Sequence, residues 1–341
     1  MGKPMRHTYL VAVAVVLILG ALFLCMKSPF LTPTNTTLKQ ENISRKAVTI
    51  TTYNSNHELE TETFDKAPSR VIAIWQGPIE TLLALGLGDR IVAATGVPSP
   101  EFLRADLRGD YEKILYRSFD SLTKESALAM EPDFIITSWE SAFSEKQLGT
   151  TSFWHQRKVK TYIGEIPVSM AGNRTLEHEY KVILDLGKIF RVEKRAEKIV
   201  NGMKSRMEDL QEQANAKQEK PSVMIVQYMG NKLVNWGDEY LQADMVRKLG
   251  GRLLLHTKGQ ITEEEILYQQ PDVIFLMINE WDYAHKENIL NAFMNNPSLN
   301  SLSCIQQQRV YLLPLYEGQY SGVRTAEGLE HVAKGLYHDI R

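Results

Sequence analysis

The chain has 341 residues, a length that fits two compact lobes of roughly 120 to 150 residues better than one core. Apolar residues make up 43% and charged residues 23%, ordinary for a globular protein, and a net charge of -2 lacks the basic excess of a nucleic-acid-binding surface. Two cysteines, Cys25 and Cys304, rule out a disulfide framework and a multi-thiolate metal site.

Lys3 and Arg6 precede an uncharged stretch from Tyr9 to Met26, rich in Val, Leu and Ala. At ~1.5 Å per residue such a stretch can cross a hydrocarbon core of ~30 Å. The pattern predicts a membrane segment over residues 1–30, its N-terminus cytoplasmic and the rest exported. Phe23 and Leu24 are bulky where a lipoprotein signal would carry small residues, and no small-residue cleavage site is visible. An uncleaved anchor is therefore preferred, with a lipoprotein acylated at Cys25 as the alternative. Residues 31–46 carry Pro33 and a run of Thr, Asn and Ser, and read as a tether.

The body follows from residue 47. Ala47 to Tyr53 and His57 to Phe64 alternate around Asn54-Ser55-Asn56 and predict a β-hairpin. Arg70 to Ile74 is a short apolar run of buried-strand type, followed by a helix over 79–85 that ends at Gly86, and a second strand over 91–94. Thr123 then opens T-K-E-S-A-L-A-M-E-P-D, a helix signal that leads into the apolar run Phe134-Ile135-Ile136. Residues 175–218 are strongly helical, with apolar residues at helical spacing and a break near Phe190-Arg191. The second piece, about 35 to 40 Å long, would reach from one lobe to the other.

The plan then repeats. Ser222 to Gln227 is a buried strand, 241–249 a helix closed by Gly250-Gly251, and 252–255 a strand. Thr262 opens T-E-E-E-I-L-Y-Q-Q-P-D, a second copy of the Thr123 pattern, leading into Val273 to Leu276. A strand over 310–313 and a helix over 325–337 close the chain. The expected fold is α/β, two lobes with mostly parallel sheets flanked by helices, at 47–174 and 219–341, joined by a single long interlobe helix.

P-S-R-V-I-A-I at 68–74, E-T-L-L-A-L-G-L-G-D-R-I-V at 80–92 and M-E-P-D-F-I-I at 130–136 form one ordered series. L-G-G at 249–251, Q-P-D-V-I-F-L at 270–276, N-P-S-L-N-S-L at 296–302 and R-V-Y-L-L-P at 309–314 form another. Over about residues 47–340 the chain resembles the ABC-importer substrate-binding proteins for ferric siderophores, haem and cobalamin. The resemblance implies a cleft between the lobes, a membrane permease as partner, and no catalytic residue or cofactor. Hinge closure around ligand is the general device of periplasmic binding proteins, and a rigid helical connector restricts it.

Glu125 and Glu264 occupy matching places, two residues after Thr123 and Thr262. A carboxylate in a first helical turn is stabilised by the helix dipole by ~0.3 to 1 kcal/mol, which would suffice for either alone. Thr262 with Glu265 also reads as a capping box. The resemblance implies a further role for the pair, docking onto permease arginines.

Trp75, Trp139, Trp236 and Trp281 each lie just beyond a predicted strand, where open α/β sheets bind ligands. Tyr228, Tyr283, Tyr316 and Tyr320 are placed similarly, and together they suggest an aromatic ligand wall, each one alone being equally a cap on the core. Arg324 could pair with anionic oxygens around a chelated ferric ion or be a capping arginine. Asn231, Asn279 and Gln319 could add neutral hydrogen bonds. The eight histidines show no metal-site spacing, so bare metal ions are disfavoured. A haem would need an axial ligand from His155, His256, His285, Met229 or Tyr228, with nothing to choose among them.

The leading expectation is a monomeric extracytoplasmic binding protein for an iron-siderophore-like Fe(III) chelate, ahead of a corrinoid or haem. A two-lobed enzyme would need a nucleotide site or cluster ligands, and no phosphate loop or nucleophile elbow is visible. A membrane-tethered receptor is the third class.

Overall fold

The computed structural model describes residues 46–164, 173–319 and 322–340. The expected membrane segment, Cys25, the tether up to Arg45 and Tyr320 lie outside them. Among the described residues no helix is long and apolar enough to cross a membrane.

The body opens with the antiparallel hairpin β1 (Val48–Tyr53) and β2 (Leu59–Phe64), in register from Val48 opposite Phe64. Next come β3 (Val71–Ile74), α1 (Gln76–Ala84), β4 (Ile91–Thr95), β5 (Tyr116–Ser118), α2 (Lys124–Ala129), β6 (Phe134–Thr137), α3 (Thr151–His155) and β7 (Lys160–Ile163). They build a five-stranded sheet in the order β5-β4-β3-β6-β7, every pair parallel. Such a sheet is covered on both faces, so β3 and β6 are continuous apolar runs. Val71 and Ala73 join one core cluster while Ile72 and Ile74 join another, the period-2 alternation of a strand expressed as two buried faces.

The helical region is two helices, α4 (Leu176–Phe190) and α5 (Glu193–Asn215), divided at the expected break, and α5 is the long helix between the halves. Arg191 breaks them in the left-handed conformation, at φ 62°. The two helices then pack so closely that a Cβ on Gly187 would lie 2.4 Å from Ala196.

The second half runs β8 (Ser222–Met229), β9 (Lys232–Asn235), α6 (Leu241–Lys248), β10 (Arg252–Leu253), β11 (Gly259–Ile261), α7 (Glu263–Gln269), β12 (Val273–Ile278), α8 (Lys286–Met294), β13 (Val310–Pro314), α9 (Leu315–Gly318) and α10 (Thr325–Leu336). Its sheet has the order β11-β9-β8-β12-β13, with β10 beside the start of β8. The β8-β12, β12-β13 and β10-β8 pairs are parallel; β9 and β11 are antiparallel additions that no sequence pattern predicts. K-L-V-N is too short, and too polar at both ends, to display strand periodicity.

The widely spaced repeat has a structural cause. Asp133 accepts from Ser69 N, Ser69 Oγ and Arg70 N at 2.8–3.1 Å, while Asp272 accepts from Ser222 N and Oγ at 2.8 and 2.7 Å. In both halves the aspartate of P-D thus pins the start of the neighbouring parallel strand. A Pro-Ser pair, 68–69 and 221–222, marks the receiving end each time.

One core cluster crosses the whole body, from Val71 and Phe134 through Leu186 and Met203 to Val223 and Phe275. Burying each such side chain contributes roughly 1.5–3 kcal/mol. Wide separation of the halves would expose this shared core, so the fold favours small adjustments over large hinge opening.

Candidate ligand-binding cleft

The loops that leave the carboxyl ends of the strands meet between the two sheets, and their aromatic side chains form a partition made of two groups of touching rings. Trp75, after β3, lies 4.9 Å from Trp139, after β6, and 5.7 Å from Trp281, after β12. Phe119, after β5, closes on Trp281 at 5.3 Å. Further along, Phe102 lies 4.9 Å from Tyr283 and 6.4 Å from Tyr316, and the two tyrosines are 5.7 Å apart. Trp281 remains 55% exposed although it bridges to rings of the opposite half. One exposed apolar side chain is ordinary, but Trp281 is continuous with Trp75, Trp139 and Phe119, and a contiguous apolar patch marks an interaction site more often than scattered residues do.

The backbone at Trp75 is unusual. Its φ of 73° and ψ of 157° lie in a region that glycine alone adopts freely, at a cost of about 1–3 kcal/mol. Its N–H donates to Thr95 O at 2.7 Å, and Gly96 lies flush against the ring, where a Cβ would come within 2.7 Å of Cε3. The strained turn aims the indole out of the sheet and into the cleft, and Gly96, itself at φ 93°, makes room for it.

Trp139 and Trp281 line a compartment of about 370 Å³ with walls from both halves, which also include Met229, Trp236, Tyr240 and Leu315. Gln227, Asn279 and Gln319 supply amides, and Lys258 lies 3.8 Å over the Trp236 indole. Trp236 is almost buried and donates through Nε1 to Gln227 Oε1 at 3.2 Å.

Phe102, Tyr283 and Tyr316 line a second, ionic compartment of about 410 Å³. Arg324 is buried, its Nη2 donating to Glu317 at 2.6 Å and its Nη1 lying 3.7 Å from Glu80 on α1 of the opposite half. Its charge already has two carboxylate partners. Glu317 also accepts from His331, which raises the histidine pKa. Glu80 is fully buried; burial pushes its pKa up to about 7 against the pull of Arg324 and of Arg104 N–H, 2.6 Å away. The turn carrying Arg324 is wedged on α1, where a Cβ on Gly322 would meet Thr81 Oγ1 at 2.2 Å. Gly322 N–H donates to Glu179 of α4 at 2.8 Å.

The sequence model of the periplasmic binding protein family matches residues 71–316. The chain belongs to that family. The match spans both halves and every loop that contributes to the partition. An uncharacterized ABC transporter substrate-binding lipoprotein of Bacillus subtilis, YvrC, is 22% identical over 282 residues, 81% of this chain and 82% of its own. The iron-uptake system-binding protein of the same organism is 24% identical over 194 residues, 55% of this chain and 57% of its own. A periplasmic binding protein of Veillonella parvula has a solved structure that superposes with a TM-score of 0.79 at 31% identity, covering 86% of this chain and 92% of that one.

In this family member several candidate residues stand away from the cleft. Tyr228 is turned to the outer face of its sheet, against Phe293 at 6.2 Å. Gln227 and Met229, its neighbours on β8, line the cleft instead; in a strand adjacent side chains take opposite faces, so three consecutive residues cannot share one wall. Asn231 is exposed in the β8-β9 turn. His256 is exposed and pairs with Asp238 at 2.9 Å, and His285 is exposed beyond the partition. His155 lies between Glu60 and Glu62 beside the hairpin. Of the five candidate axial ligands, Met229 is the one that lines the aromatic compartment. Phe102, Phe119, Tyr240 and Lys258 also belong to the cleft; Phe102 and Lys258 follow strands that the sequence displays, while Phe119 and Tyr240 follow none.

Glu280 stands between Asn279 and Trp281, buried, with Oε2 unpartnered, and burial pushes its pKa up to about 7. Cys304 is a free, buried thiol in the outer core.

Glu125 and Glu264 are both exposed at the second position of α2 and α7. Thr123 and Ser126 complete a capping box. Its counterpart is half made: Thr262 accepts from Glu265 N at 3.4 Å, but the Glu265 carboxylate turns to Gln269 Nε2 at 3.0 Å. A glutamine one turn along offers that carboxylate a donor without bending it back. The Thr262 hydroxyl lowers the pKa of Glu264.

Proposed function

We propose that this protein is the extracytoplasmic substrate-binding component of an ABC importer, not an enzyme, and that it captures an iron-siderophore-like chelate between its halves and delivers it to a membrane permease. The observation that carries this reading is the aromatic partition of Trp75, Trp139 and Trp281, with an amide-lined compartment beside it. Large ligands with apolar faces and polar edges suit such walls. The names of the two Bacillus relatives support the transporter assignment and the link to iron. Residues 1–30 would hold the body at the membrane, as an uncleaved anchor or through a lipid on Cys25, with residues 31–46 as tether and the body at 47–341.

Glu125 and Glu264 would meet cationic residues of the permease, one on each half. Exposed charges at two separated points set orientation and encounter rate more than affinity.

The test is a titration of the detergent-solubilised full chain with ferric chelates, haemin and cobalamin, followed by tryptophan fluorescence. Submicromolar quenching by one of them is expected; a folded protein that binds none would sink the reading. The double variant Glu125→Ala/Glu264→Ala should abolish uptake in cells and leave the purified protein's affinity within twofold. An equal loss of affinity would remove the docking role.

A further inference from the structure

Far from the cleft, the hairpin breaks the pattern that its own strand should follow. The inward positions of β2 are Glu60, Glu62 and Phe64, while Leu59 faces out and is 61% exposed. Two carboxylates thus occupy the face where a half-buried strand calls for apolar residues, and such a breach of pattern belongs to functional sites more than to packing. Glu62 is only 4% exposed. His155, the last residue of α3, lies against both carboxylates, with Nδ1 3.1 Å from Glu60 and Nε2 2.7 Å from Glu62. Glu60, Glu62 and His155 each bring a ligand atom within 4.8 Å of the other two. Lys160, at the start of β7, holds the second Glu62 oxygen at 2.7 Å, and Thr161 Oγ1 is 2.8 Å from His155 Nε2.

We propose that Glu60, Glu62 and His155 form a binding site for one divalent transition-metal ion, zinc in preference to manganese, which ties the β1-β2 hairpin to α3 and β7. The proposal is independent of what the cleft carries. Ligand atoms held at ~2.0–2.2 Å from a common ion stand at most about 4.4 Å apart, so the three side chains need only a slight closure to share one. Two carboxylates with one imidazole form a set for borderline ions; magnesium and calcium prefer oxygen ligands alone. One ring nitrogen would take the ion and leave the other to Thr161 or a carboxylate, the arrangement usual for metal-ligating histidines. The Lys160 ammonium now stands beside Glu62 where a cation is required, and its side chain, 39% exposed, can withdraw to water when an ion takes its place. Glu62 therefore keeps a cationic partner in both states, which its burial demands. Glu60 and His155 are 30% and 23% exposed at the side chain, so the ion enters directly from solvent. No short spacing announces the set, because its members come from a strand and a helix far apart in the chain.

The experiment titrates chelator-stripped full chain in detergent with zinc, manganese and magnesium ions by calorimetry, and measures the thermal unfolding midpoint with and without each. One zinc per chain at micromolar affinity is expected, with manganese about tenfold weaker, no heat from magnesium, and a higher midpoint in zinc. Glu60→Gln and His155→Gln should each weaken zinc binding by about tenfold or more. Lys160→Met removes the resident cation, so it should bind zinc several-fold more tightly and gain more from zinc in its unfolding midpoint. A purely structural ion-pair network has no reason to do so. Absence of zinc binding by the unaltered chain overturns the proposal. So does equal zinc affinity in the folded Glu60→Gln and His155→Gln variants, which would put the ion on other histidines. If His155→Gln fails to fold, Glu60→Gln and Lys160→Met decide: unchanged zinc affinity in both removes the site.

Discussion

The two ends of the cleft contrast sharply. At one end Trp75, Trp139 and Trp281 present ring faces with modest mutual burial, and Trp281 is more than half exposed. At the other, Arg324, Glu80, Glu317 and Glu327 are buried or half-buried, with the guanidinium shared between carboxylates of both halves. The first end leaves aromatic surface exposed, as the proposed ligand wall requires. The second spends its polar groups on one another and holds α1 of the first half against the turn before α10 of the second. A binding protein needs both, because a cleft can be selective only if its walls are already positioned when the ligand arrives.

Substitutions can break each end separately. Arg324→Met should have the largest effect, since it leaves Glu80 and Glu317 buried without their cation; loss of one partner of a buried pair costs about 3–5 kcal/mol. Chemical denaturation should show that loss above neutral pH, and recovery as pH falls through about 7, where Glu80 takes up its proton. An unaltered unfolding midpoint would mean that the interlobe pair contributes nothing.

Glu280→Gln should act in the opposite direction. The carboxyl's pKa is about 7 in the folded protein against 4.5 in the unfolded chain, so its stability contribution is complete below pH 4.5 and disappears as pH rises through 7. At pH 8 the amide should therefore be more stable than the carboxylate by roughly 2–3 kcal/mol, with no difference at pH 4. The difference between the two denaturation curves as a function of pH checks the sign.

Trp281→Ala should separate binding from stability at the open end. It removes exposed surface, so unfolding should change by less than about 1 kcal/mol. Loss of an aromatic wall at a ligand should weaken affinity by at least tenfold, about 1.4 kcal/mol. If stability falls as much as binding, Trp281 is part of the packing and not a ligand wall. The smallest effect is expected at Thr262→Ala, about 0.5–1 kcal/mol for a cap that is only half of a box; Thr123→Ala, which breaks a complete one, should cost more.

Much of the architecture was legible in the chain. Parallel strands buried on both faces must be continuous apolar runs, and Val71–Ile74, Phe134–Thr137 and Val273–Ile278 are such runs, each bounded by Pro, Gly or Asp. The threonine caps and the break at Arg191 depend on contacts within a few residues, which local sequence records. The short strands β5, β9 and β11 left no such record, because three or four residues at a sheet edge take their conformation from the partner strand.

What the sequence by itself determined is the doubled α/β plan, the helical connection and a set of aromatic residues at strand ends. Tertiary structure alone decided which of them share a wall. Tyr228 turns away by the alternation of β8, and Phe119 and Tyr240 reach the cleft after short strands with no periodic signal. Arg324 is claimed by Glu80, a residue 244 positions away on the other half. Those outcomes depend on the register and mutual placement of two sheets, and long-range pairing of that kind has no signature in any short stretch of chain.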